Sequence, residues 1–259
     1  MATEIKQGIM LQSQTENVTR LCQQGFIGFA NKYKQQVLNP AIYANVSIDE
    51  RISECITAQE EYVHNRTCER IIKNAGFEST MTLNEIAKDP SDGLSRKDLQ
   101  DLTGTVWIER GMNIAITGGC GIGKTSLACA IGIQAAVNGV SVYYARTSTL
   151  LAWLSSKSDF SSKERALKRI ARYKVLILDD FGTDGSFSED DLKNMARITN
   201  ERYRTKPIVI GSQYRVEGFY DLFPKCVGTE GVVDRLINPC HEIALTGESR
   251  RAGFDNSLS

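Results

Sequence analysis

A glycine-rich loop near the middle of the chain has the residue types and spacing of a phosphate-binding site. It fits the pattern G-x-x-x-x-G-K-[ST]. Glycines let the backbone approach an anion and adopt positive φ angles, so that several N–H groups can converge on one phosphate. We expect Lys124 to contact the β- and γ-phosphates of a nucleotide and the Thr125 hydroxyl to bind Mg²⁺. The predicted nucleotide-binding residues here are Gly118, Gly119, Cys120, Gly121, Ile122, Gly123, Lys124, Thr125 and Ser126.

The segments on either side of this loop favour phosphate binding over a chance match to the pattern. Residues 112–117 before the loop have the apolar run of a buried strand, and residues 126–131 after it have the pattern of a helix. A helix N-terminus adds the positive end of its dipole where the N–H groups converge. The predicted strand, loop and helix therefore form one anion site.

Two carboxylates follow another short apolar strand further along the chain. The strand is residues 175–178, and Asp179 and Asp180 come directly after it. This is the placement of the Walker B acid, so Asp179 is predicted to hold Mg²⁺ directly or through water, although an acidic turn is the alternative. Asp180 stands where many such ATPases carry glutamate as the base that polarises water. Because aspartate is one methylene shorter, it either acts through a displaced water or leaves hydrolysis slow.

Three more positions could complete a nucleotide site. Gln213 follows the fourth predicted strand, where a polar side chain either contacts the γ-phosphate or the attacking water, or simply forms a turn. Arg235 lies in an apolar stretch, where it either pairs with Asp234 or reaches the γ-phosphate of a neighbouring subunit as an arginine finger. Arg250 and Arg251 follow the last strand and either reach phosphate in the same chain or belong to a solvated tail.

The most basic stretch of the chain lies between the second and third predicted strands. Most of its positive side chains would cover one broad polar face of a helix beginning near residue 163. Such a face is either solvated or contacts the DNA backbone, in a way that is independent of sequence and sensitive to salt. The residues predicted to contact nucleic acid are Lys157, Lys163, Arg165, Lys168 and Arg169.

The composition limits the class of protein. Of 259 residues, 41% are hydrophobic and 24% are charged, which is typical of a soluble globular protein. The formal net charge is +0, so any nucleic-acid site must be a local patch. The seven cysteines include no C-x-x-C pair and, with no signal peptide, are expected to be reduced thiols in the cytoplasm. No apolar run approaches the roughly 18 residues of a membrane span, so no membrane partner is expected.

The order of the predicted elements indicates how these residues are positioned. In the larger, C-terminal part, apolar strands alternate with helices, which predicts an α/β fold with a mostly parallel sheet covered by helices on both faces. Ligands of such sheets bind at the carboxyl ends of the strands. Helices are also predicted at residues 21–38 and about 47–74. The expected domains are a small helical N-terminal domain, 1–90, and the ATPase core, 91–259.

These motifs together resemble the IstB-like family, the helper ATPases encoded beside the transposase in some bacterial insertion sequences. The resemblance runs from about Ile48 to Arg251 and does not rest on the phosphate loop alone. Other similar stretches are residues 71–77, 107–110, 176–182, 201–203, 211–213, 234–236 and 247–249. The chain departs from the family at the start of the loop, where Gly-Gly-Cys-Gly replaces the commoner Gly-Pro-x-Gly, and at Arg250, a usually apolar position.

The resemblance implies a P-loop AAA+ core without a sizeable C-terminal lid, ATP-dependent assembly on DNA and stimulation of the transposase. It implies that Gln213 occupies the sensor-one position and that Arg235 is the arginine finger acting in trans. It also implies that Arg251 is the arginine of the closing Gly-Glu-Ser motif. The expected cofactors are ATP and Mg²⁺. The expected partners are duplex DNA, the transposase and further copies of the chain in a homo-oligomer.

Two other functions remain open at this stage. The first is a replicative helicase loader of the DnaC type, whose ATPase core is similar; the closing Gly-Glu-Ser motif and the N-terminal segment favour the transposition helper. The second is a nucleotide-gated DNA scaffold in which hydrolysis only sets disassembly. Asp180 in place of glutamate makes the scaffold credible, and it predicts ATP-stimulated assembly with very slow turnover.

Overall fold

The chain folds as two compact units, Met1–Glu69 and Arg70–Ser259. The computed structural model describes residues 9–157 and 159–250. The division between the units lies earlier than the boundary after residue 90 that the sequence suggests. The reason is that residues 70–90 supply apolar side chains to the core of the second unit, among them Leu83 and Ile86.

The first unit is helical. Its helices are α1 (Gln12–Gln23), α2 (Ile27–Leu38) and most of α3 (Ile48–Ala75). The single helix predicted at residues 21–38 is in fact two helices, because Gly25 between them has a φ of +88°, which interrupts helical geometry. The predicted start of α3 is confirmed: the Ser47 hydroxyl accepts from the Glu50 N–H at 3.2 Å, and the Glu50 carboxylate accepts from the Ser47 N–H at 3.0 Å.

The second unit contains, within the described residues, a five-stranded parallel sheet in the order β2-β3-β4-β1-β5. The strands are β1 (Asn113–Thr117), β2 (Val142–Arg146), β3 (Val175–Phe181), β4 (Ile208–Ser212) and β5 (Cys240–Ala244). The carboxyl ends of β3, β4 and β1 therefore lie side by side at one end of the sheet, the end at which ligands of parallel sheets bind.

Helices cover both faces of this sheet. They are α4 (Leu83–Ile86), α5 (Arg96–Thr103), α6 (Val106–Glu109), α7 (Lys124–Val137), α8 (Thr147–Ser155), α9 (Phe160–Ala171), α10 (Glu189–Arg202), the 3-10 helix Val216–Leu222, and α11 (Val227–Ile237). Helices α4 to α7 form one apolar core with the sheet, and α8 to α11 form another on its opposite face. The predicted α/β architecture is confirmed. No helix among the described residues has the length and apolar composition needed to cross a membrane.

Two elements between the phosphate loop and Asp180 differ from the prediction. Helix α9 begins at Phe160 rather than near residue 163, because the Asp159 carboxylate caps it by accepting from the Ser162 N–H at 2.7 Å. Strand β2 extends to Arg146, two residues beyond the strand that the sequence predicts at residues 139–144, and Arg146 pairs in register with Asp179 of β3.

A buried arginine ties α9, α10 and the sheet together. Arg202, at the end of α10, is only 2% exposed. Its guanidinium donates to the carbonyls of Tyr173 at 3.0 Å, Lys174 at 2.8 Å and Pro207 at 3.1 Å. These carbonyls belong to the connection into β3 and the residue before β4, so one side chain anchors both strand entries. Burial lowers the pKa of Arg202 to about 10.

Candidate nucleotide-binding site

The glycine-rich loop joins β1 to α7, and its backbone geometry requires glycine. Gly118 has a φ of +143° and Gly123, directly before α7, a φ of +104°. A Cβ atom at Gly118 would collide with the Leu245 carbonyl oxygen and the Ile122 side chain. Residues with side chains would therefore be strained at these positions, which explains the glycine spacing of the motif.

The loop holds its lysine inward. Lys124 is 9% exposed, and its ammonium group donates to the Gly119 carbonyl at 2.6 Å. Thr125 and Ser126 are half-buried in the first turn of α7, whereas Gly119 and Cys120 are exposed. The cation thus lies within the curve of the loop, next to the N-terminus of a helix.

A cavity of about 510 Å³ opens beside this loop. Its volume is within the range of about 300–1,000 Å³ that is usual for small-molecule sites. The predicted residues that line it are Cys120, Gly121, Gly123, Lys124, Thr125, Ser126, Asp180, Gln213 and Arg250. Apolar side chains line it as well: Met81, Ile86, Leu94, Leu127 and Leu245. Gly118, Gly119 and Ile122 belong to the loop but are not among the residues that line the cavity.

Asp179 is buried at the end of β3 with one unpaired oxygen. Its Oδ2 accepts from the Tyr144 hydroxyl at 2.9 Å, and its backbone carbonyl accepts from the Thr147 hydroxyl at 2.8 Å. Its Oδ1 is buried and has no hydrogen-bond partner among the described residues. A Cβ atom at Gly211 of β4 would collide with this oxygen. Burial and the charge of Asp179 raise the pKa of Tyr144, which keeps its hydroxyl a donor.

The unpaired oxygen fits a hard cation. Mg²⁺ prefers oxygen ligands and commonly takes one or two from protein and the rest from phosphate and water. Asp179 and Thr125 offer a carboxylate and a hydroxyl oxygen. In the part of the chain that the structure describes, no group of three or more His, Cys, Asp or Glu side chains could hold a metal without such help. The donor set therefore matches Mg²⁺ bound together with a phosphate.

Asp180 lines the cavity beside an arginine that sequence reasoning missed. Burial and the neighbouring Asp179 charge raise the pKa of Asp180, and Arg146 opposes this. Arg146 Nε lies 3.8 Å from Asp180 Oδ2. The same guanidinium donates from Nε and Nη2 to the Glu78 carboxylate at 2.6 Å and 2.9 Å, and these bonds lower the pKa of Glu78. One feature of the sequence indicated a role for Arg146, because a basic residue ends a strand that lies next to β3. No local pattern indicated a role for Glu78.

Two segments from opposite ends of the second unit close over the loop. The Arg250 N–H donates to the Gly121 carbonyl at 3.0 Å, and the Ser91 hydroxyl donates to the Ile122 carbonyl at 2.9 Å. The Arg250 guanidinium is held by Asp89, whose carbonyl accepts from Nη2 at 2.9 Å. Arg250 therefore belongs to the cavity wall rather than to a solvated tail. Arg251 lies outside the described residues.

Arg235 lies at the other end of β1 from the phosphate loop. The carbonyls of Arg235 and Leu236 accept from the side chain of Asn113, the first residue of β1, at 2.9 Å each. The loop instead follows Thr117, the last residue of β1, about 13 Å further along the strand. The Arg235 guanidinium bonds to the Gly231 carbonyl and lies 5.8 Å from the Tyr203 ring centroid.

The predicted nucleic-acid residues separate into three environments. Arg165, Lys168 and Arg169 are exposed on one face of α9. Lys163 is turned towards α10, where its ammonium lies 3.5 Å from the Asp190 carboxylate. Lys157 lies beyond α8 with its ammonium 4.8 Å from the Trp153 ring centroid.

The sheet order, the phosphate loop after β1 and the acidic residues at the end of β3 define a P-loop protein of the AAA+ type. A family model described as IstB-like ATP binding protein matches residues 19–256. Because this match covers most of the chain, the chain belongs to the IstB-like family.

Curated relatives carry names from insertion sequences. The chain is 31% identical over 184 residues to a protein of Mycobacterium tuberculosis named for ATP binding in an insertion sequence, covering 70% of this chain and 72% of the relative. It is 29% identical over 199 residues to a Pseudomonas aeruginosa protein named for ATP binding in insertion sequence IS21, covering 76% of this chain and 75% of the relative.

Solved structures show the same fold. The DnaI structure aligns with a TM-score of 0.54 at 21% identity, covering 70% of this chain and 93% of that chain. The DnaC helicase loader aligns with a TM-score of 0.50 at 21% identity, covering 68% of this chain and 98% of that chain. The replication initiator DnaA, bound to AMPPCP and single-stranded DNA, aligns with a TM-score of 0.54 at 20% identity, covering 68% of this chain and 53% of that chain. At these identities the similarity concerns the fold alone.

Proposed function

We propose that this chain binds ATP with Mg²⁺ in the cavity at the phosphate loop and hydrolyses it. The observation that carries the proposal is the convergence of Lys124, Thr125, Asp180 and Gln213 on one cavity. Asp179, the residue before Asp180, has a buried oxygen without a hydrogen-bond partner among the described residues. Family membership and the names of the curated relatives support ATP as the nucleotide. The loop N–H groups and Lys124 bind the phosphates, and the apolar wall accepts the base.

Each residue has a role that follows from its position. The Asp179 carboxylate and the Thr125 hydroxyl would hold Mg²⁺, which would supply positive charge to the phosphates. Asp180 accepts a proton from the attacking water, directly or through a second water. Gln213, exposed on the cavity wall, orients that water or the γ-phosphate. Arg250 and, after it, Arg251 follow β5 and contribute positive charge near the phosphates.

Arg235 acts on the nucleotide of a neighbouring copy. Within one chain its backbone contacts Asn113, at the opposite end of β1 from the phosphate loop, which supports a role at another subunit's nucleotide. An assembly in which each subunit presents Arg235 to the next cavity makes ATP the link between subunits. Binding then favours a homo-oligomer, and hydrolysis loosens it.

The assembly acts on duplex DNA in the cytoplasm and stimulates the transposase of its insertion sequence. The relatives' insertion-sequence names support this context. The exposed basic face of α9 supports a phosphate-backbone contact through Arg165, Lys168 and Arg169, with Lys157 close by. Lys163 is a weaker contributor because Asp190 already neutralises it.

A helicase loader is the second candidate function. The similarity of the fold to the DnaC helicase loader favours it, but at 21% identity that similarity does not extend to the partner. The nucleotide-gated DNA scaffold is the third candidate function, in which Asp180 supports only slow ATP hydrolysis. Comparing the binding of this chain to purified transposase and to purified replicative helicase distinguishes the first two functions. The turnover number of ATP hydrolysis distinguishes the scaffold from both.

The decisive experiment measures ATP-dependent assembly on duplex DNA and ATP hydrolysis for four samples. These are the wild type, Lys124→Ala, Arg235→Ala, and an equal mixture of the two variants. We expect the wild type alone to assemble fully and each single variant to lose hydrolysis. The mixture should regain part of it, because intact loops then meet intact Arg235 residues from the other variant.

The exposed Arg96→Ala is the matched arginine control and should behave as the wild type. A wild type that stays monomeric on DNA with ATP, or an Arg235→Ala variant that hydrolyses ATP normally by itself, would contradict the shared-site proposal.

A further inference from the structure

A second concave site lies at the β2 edge of the sheet and is lined by aromatic side chains. We name it the Trp153 cavity; its volume is about 290 Å³. The ring centroids of Tyr143 and Tyr173 are 5.2 Å apart, and Lys157 holds its ammonium 4.8 Å from the centroid of Trp153. The lining of the cavity includes Tyr143, Trp153, Arg169 and Tyr173. The site therefore offers several partly exposed π surfaces with positive charge beside them.

The outer face of α9 borders the Trp153 cavity and is basic. Its exposed side chains recur at helical spacing and are Arg165, Lys168, Arg169 and Arg172. Arg169 belongs to both this face and the cavity. The acidic residue of the helix, Glu164, is turned the other way and pairs with Arg197 of α10. From Arg165 to Arg172 the face extends about 10 Å, which is the rise of about three nucleotides along one DNA strand.

We infer that the Trp153 cavity binds one unstacked nucleobase of a DNA strand whose phosphates contact the basic face of α9. This inference rests on the proposed DNA binding and specifies that the bound DNA contains an unstacked base. Aromatic side chains stack on the faces of bases irrespective of sequence, and a basic groove tracks the backbone. In an intact duplex the base faces are stacked on one another and only their edges are accessible. The cavity is therefore selective for a single strand or for a duplex with a base displaced from the stack.

The charge around the cavity decides between DNA and a protein segment as its occupant. Arg165, Lys168, Arg169 and Arg172 form a row on one helix face, and the Lys157 ammonium lies 4.8 Å from the centroid of the Trp153 ring. Such a row suits regularly spaced phosphates, with one base entering the cavity next to Arg169.

The experiment uses the full-length chain with ATP and the fluorescence of Trp153. The chain has two tryptophans, so Trp107→Phe leaves Trp153 as the only reporter. Three DNAs of equal length are compared: a fully paired duplex, the same duplex with one unpaired nucleotide, and a single strand. We expect the second and third DNAs to quench Trp153 and the fully paired duplex to quench it much less.

The variant that tests the role of the ring is Trp153→Ala, with Phe160→Ala as the matched control. Phe160 is an exposed aromatic residue at the start of α9, but it lies on the α10 side, 5.9 Å from the Arg197 guanidinium. Trp153→Ala should weaken binding of the DNA with an unpaired nucleotide about tenfold and leave binding of the paired duplex nearly unchanged. Phe160→Ala should change neither. Trp153→Phe, which keeps a stacking ring, should retain most of the preference and guards against misfolding of the alanine variant.

The outcomes separate this inference from the proposed function. If the paired duplex binds with ATP but Trp153→Ala leaves the preference unchanged, or Trp153 is quenched equally by all three DNAs, the base-binding inference is overturned and the proposed function stands. If no DNA binds, both are overturned. Quenching by purified transposase but by none of the DNAs would assign the cavity to a protein segment and also overturn the inference.

Discussion

Arg146, the last residue of β2, donates two parallel hydrogen bonds to the Glu78 carboxylate, at 2.6 Å and 2.9 Å. Asp180 Oδ2 lies 3.8 Å from the same guanidinium, close enough to feel its charge but beyond hydrogen-bond distance. Glu78 comes from the segment between α3 and α4, far from the motifs that define the cavity. It therefore holds the arginine beside Asp180 without letting the arginine bind Asp180.

Glu78→Gln should slow hydrolysis without weakening nucleotide binding. The substitution removes the charge that holds Arg146, so Asp180 becomes the carboxylate nearest to the guanidinium. A carboxylate paired with arginine accepts a proton less readily. We expect turnover to fall about tenfold, less than the roughly 10²–10⁴ contributed by a general base. Because the Arg146 and Glu78 side chains are largely exposed, the free energy of unfolding should change little.

The double variant Glu78→Gln/Arg146→Gln is the control for this prediction. Without the guanidinium there is nothing to close onto Asp180, so turnover should recover relative to Glu78→Gln alone. The measurement is steady-state phosphate release together with the affinity for a fluorescent ATP analogue. Additive losses in the double variant would show that Glu78 does not act through Arg146.

Tyr144→Phe should weaken the binding of the Mg²⁺ that hydrolysis requires while leaving the fold intact. The hydroxyl donates to Asp179 Oδ2 and orients the carboxylate. Loss of such an outer contact usually costs about 10–100-fold in metal affinity or activity. A titration of hydrolysis with Mg²⁺ should therefore shift to higher concentration, whereas Tyr33→Phe in the N-terminal unit should not shift it. An unchanged Mg²⁺ titration for Tyr144→Phe would remove Asp179 from the predicted metal site.

Gly211→Ala should disable the site through a single methyl group. A Cβ atom there would collide with Asp179 Oδ1, the oxygen available to a metal ion. Relief of such a clash typically costs about 1–3 kcal/mol and would displace the carboxylate. Gly104→Ala meets only the Asp101 carbonyl, at 3.9 Å, and is the matched control. Gly211→Ala should unfold at lower urea concentration and lose Mg²⁺-dependent hydrolysis, whereas Gly104→Ala should match the wild type in both measurements. Normal hydrolysis by Gly211→Ala would contradict the predicted role of Asp179.

Arg202→Met should be among the most destabilising single substitutions in the second unit. It leaves the carbonyls of Tyr173, Lys174 and Pro207 without their buried donor. Each buried acceptor left unpaired costs about 1–3 kcal/mol, so for three acceptors we expect a loss of at least about 3 kcal/mol in the free energy of unfolding. Arg172→Met, which alters an exposed side chain nearby, should change it by less than about 0.5 kcal/mol. Equal unfolding midpoints for the two variants would refute the anchoring role of Arg202.

Local patterns were sufficient to predict the architecture and which loop residues line the cavity. The glycine spacing of the loop and the apolar run before Asp179 each occupy a few adjacent residues, so the sequence displays them directly. The roles of those residues stay predictions until they are measured. The break at Gly25 was missed because the surrounding residues continue a helical pattern, and a glycine inside such a pattern is ambiguous without its φ angle.

Contacts between distant residues were beyond prediction from a single sequence. The bond between Glu78 and Arg146 joins positions 68 apart in sequence, and it exists only because β2 pairs with β3 next to Asp179. The Trp153 cavity depends in the same way on the packing of α8 and α9 against the sheet edge. Neither contact has a spacing that repeats along the chain, so no periodicity marks them.

The closure of the phosphate loop by both ends of the second unit has a consequence for synthesis of the protein. The Thr246 N–H donates to the Asp92 carbonyl at 2.8 Å, and the Arg250 N–H donates to the loop itself. A ribosome releases the loop long before it releases these last residues, so a nascent chain cannot form the closed cavity. Ligand binding stabilises only the state that binds. Nucleotide would therefore protect finished chains, and products truncated before residue 245 would remain open to proteases.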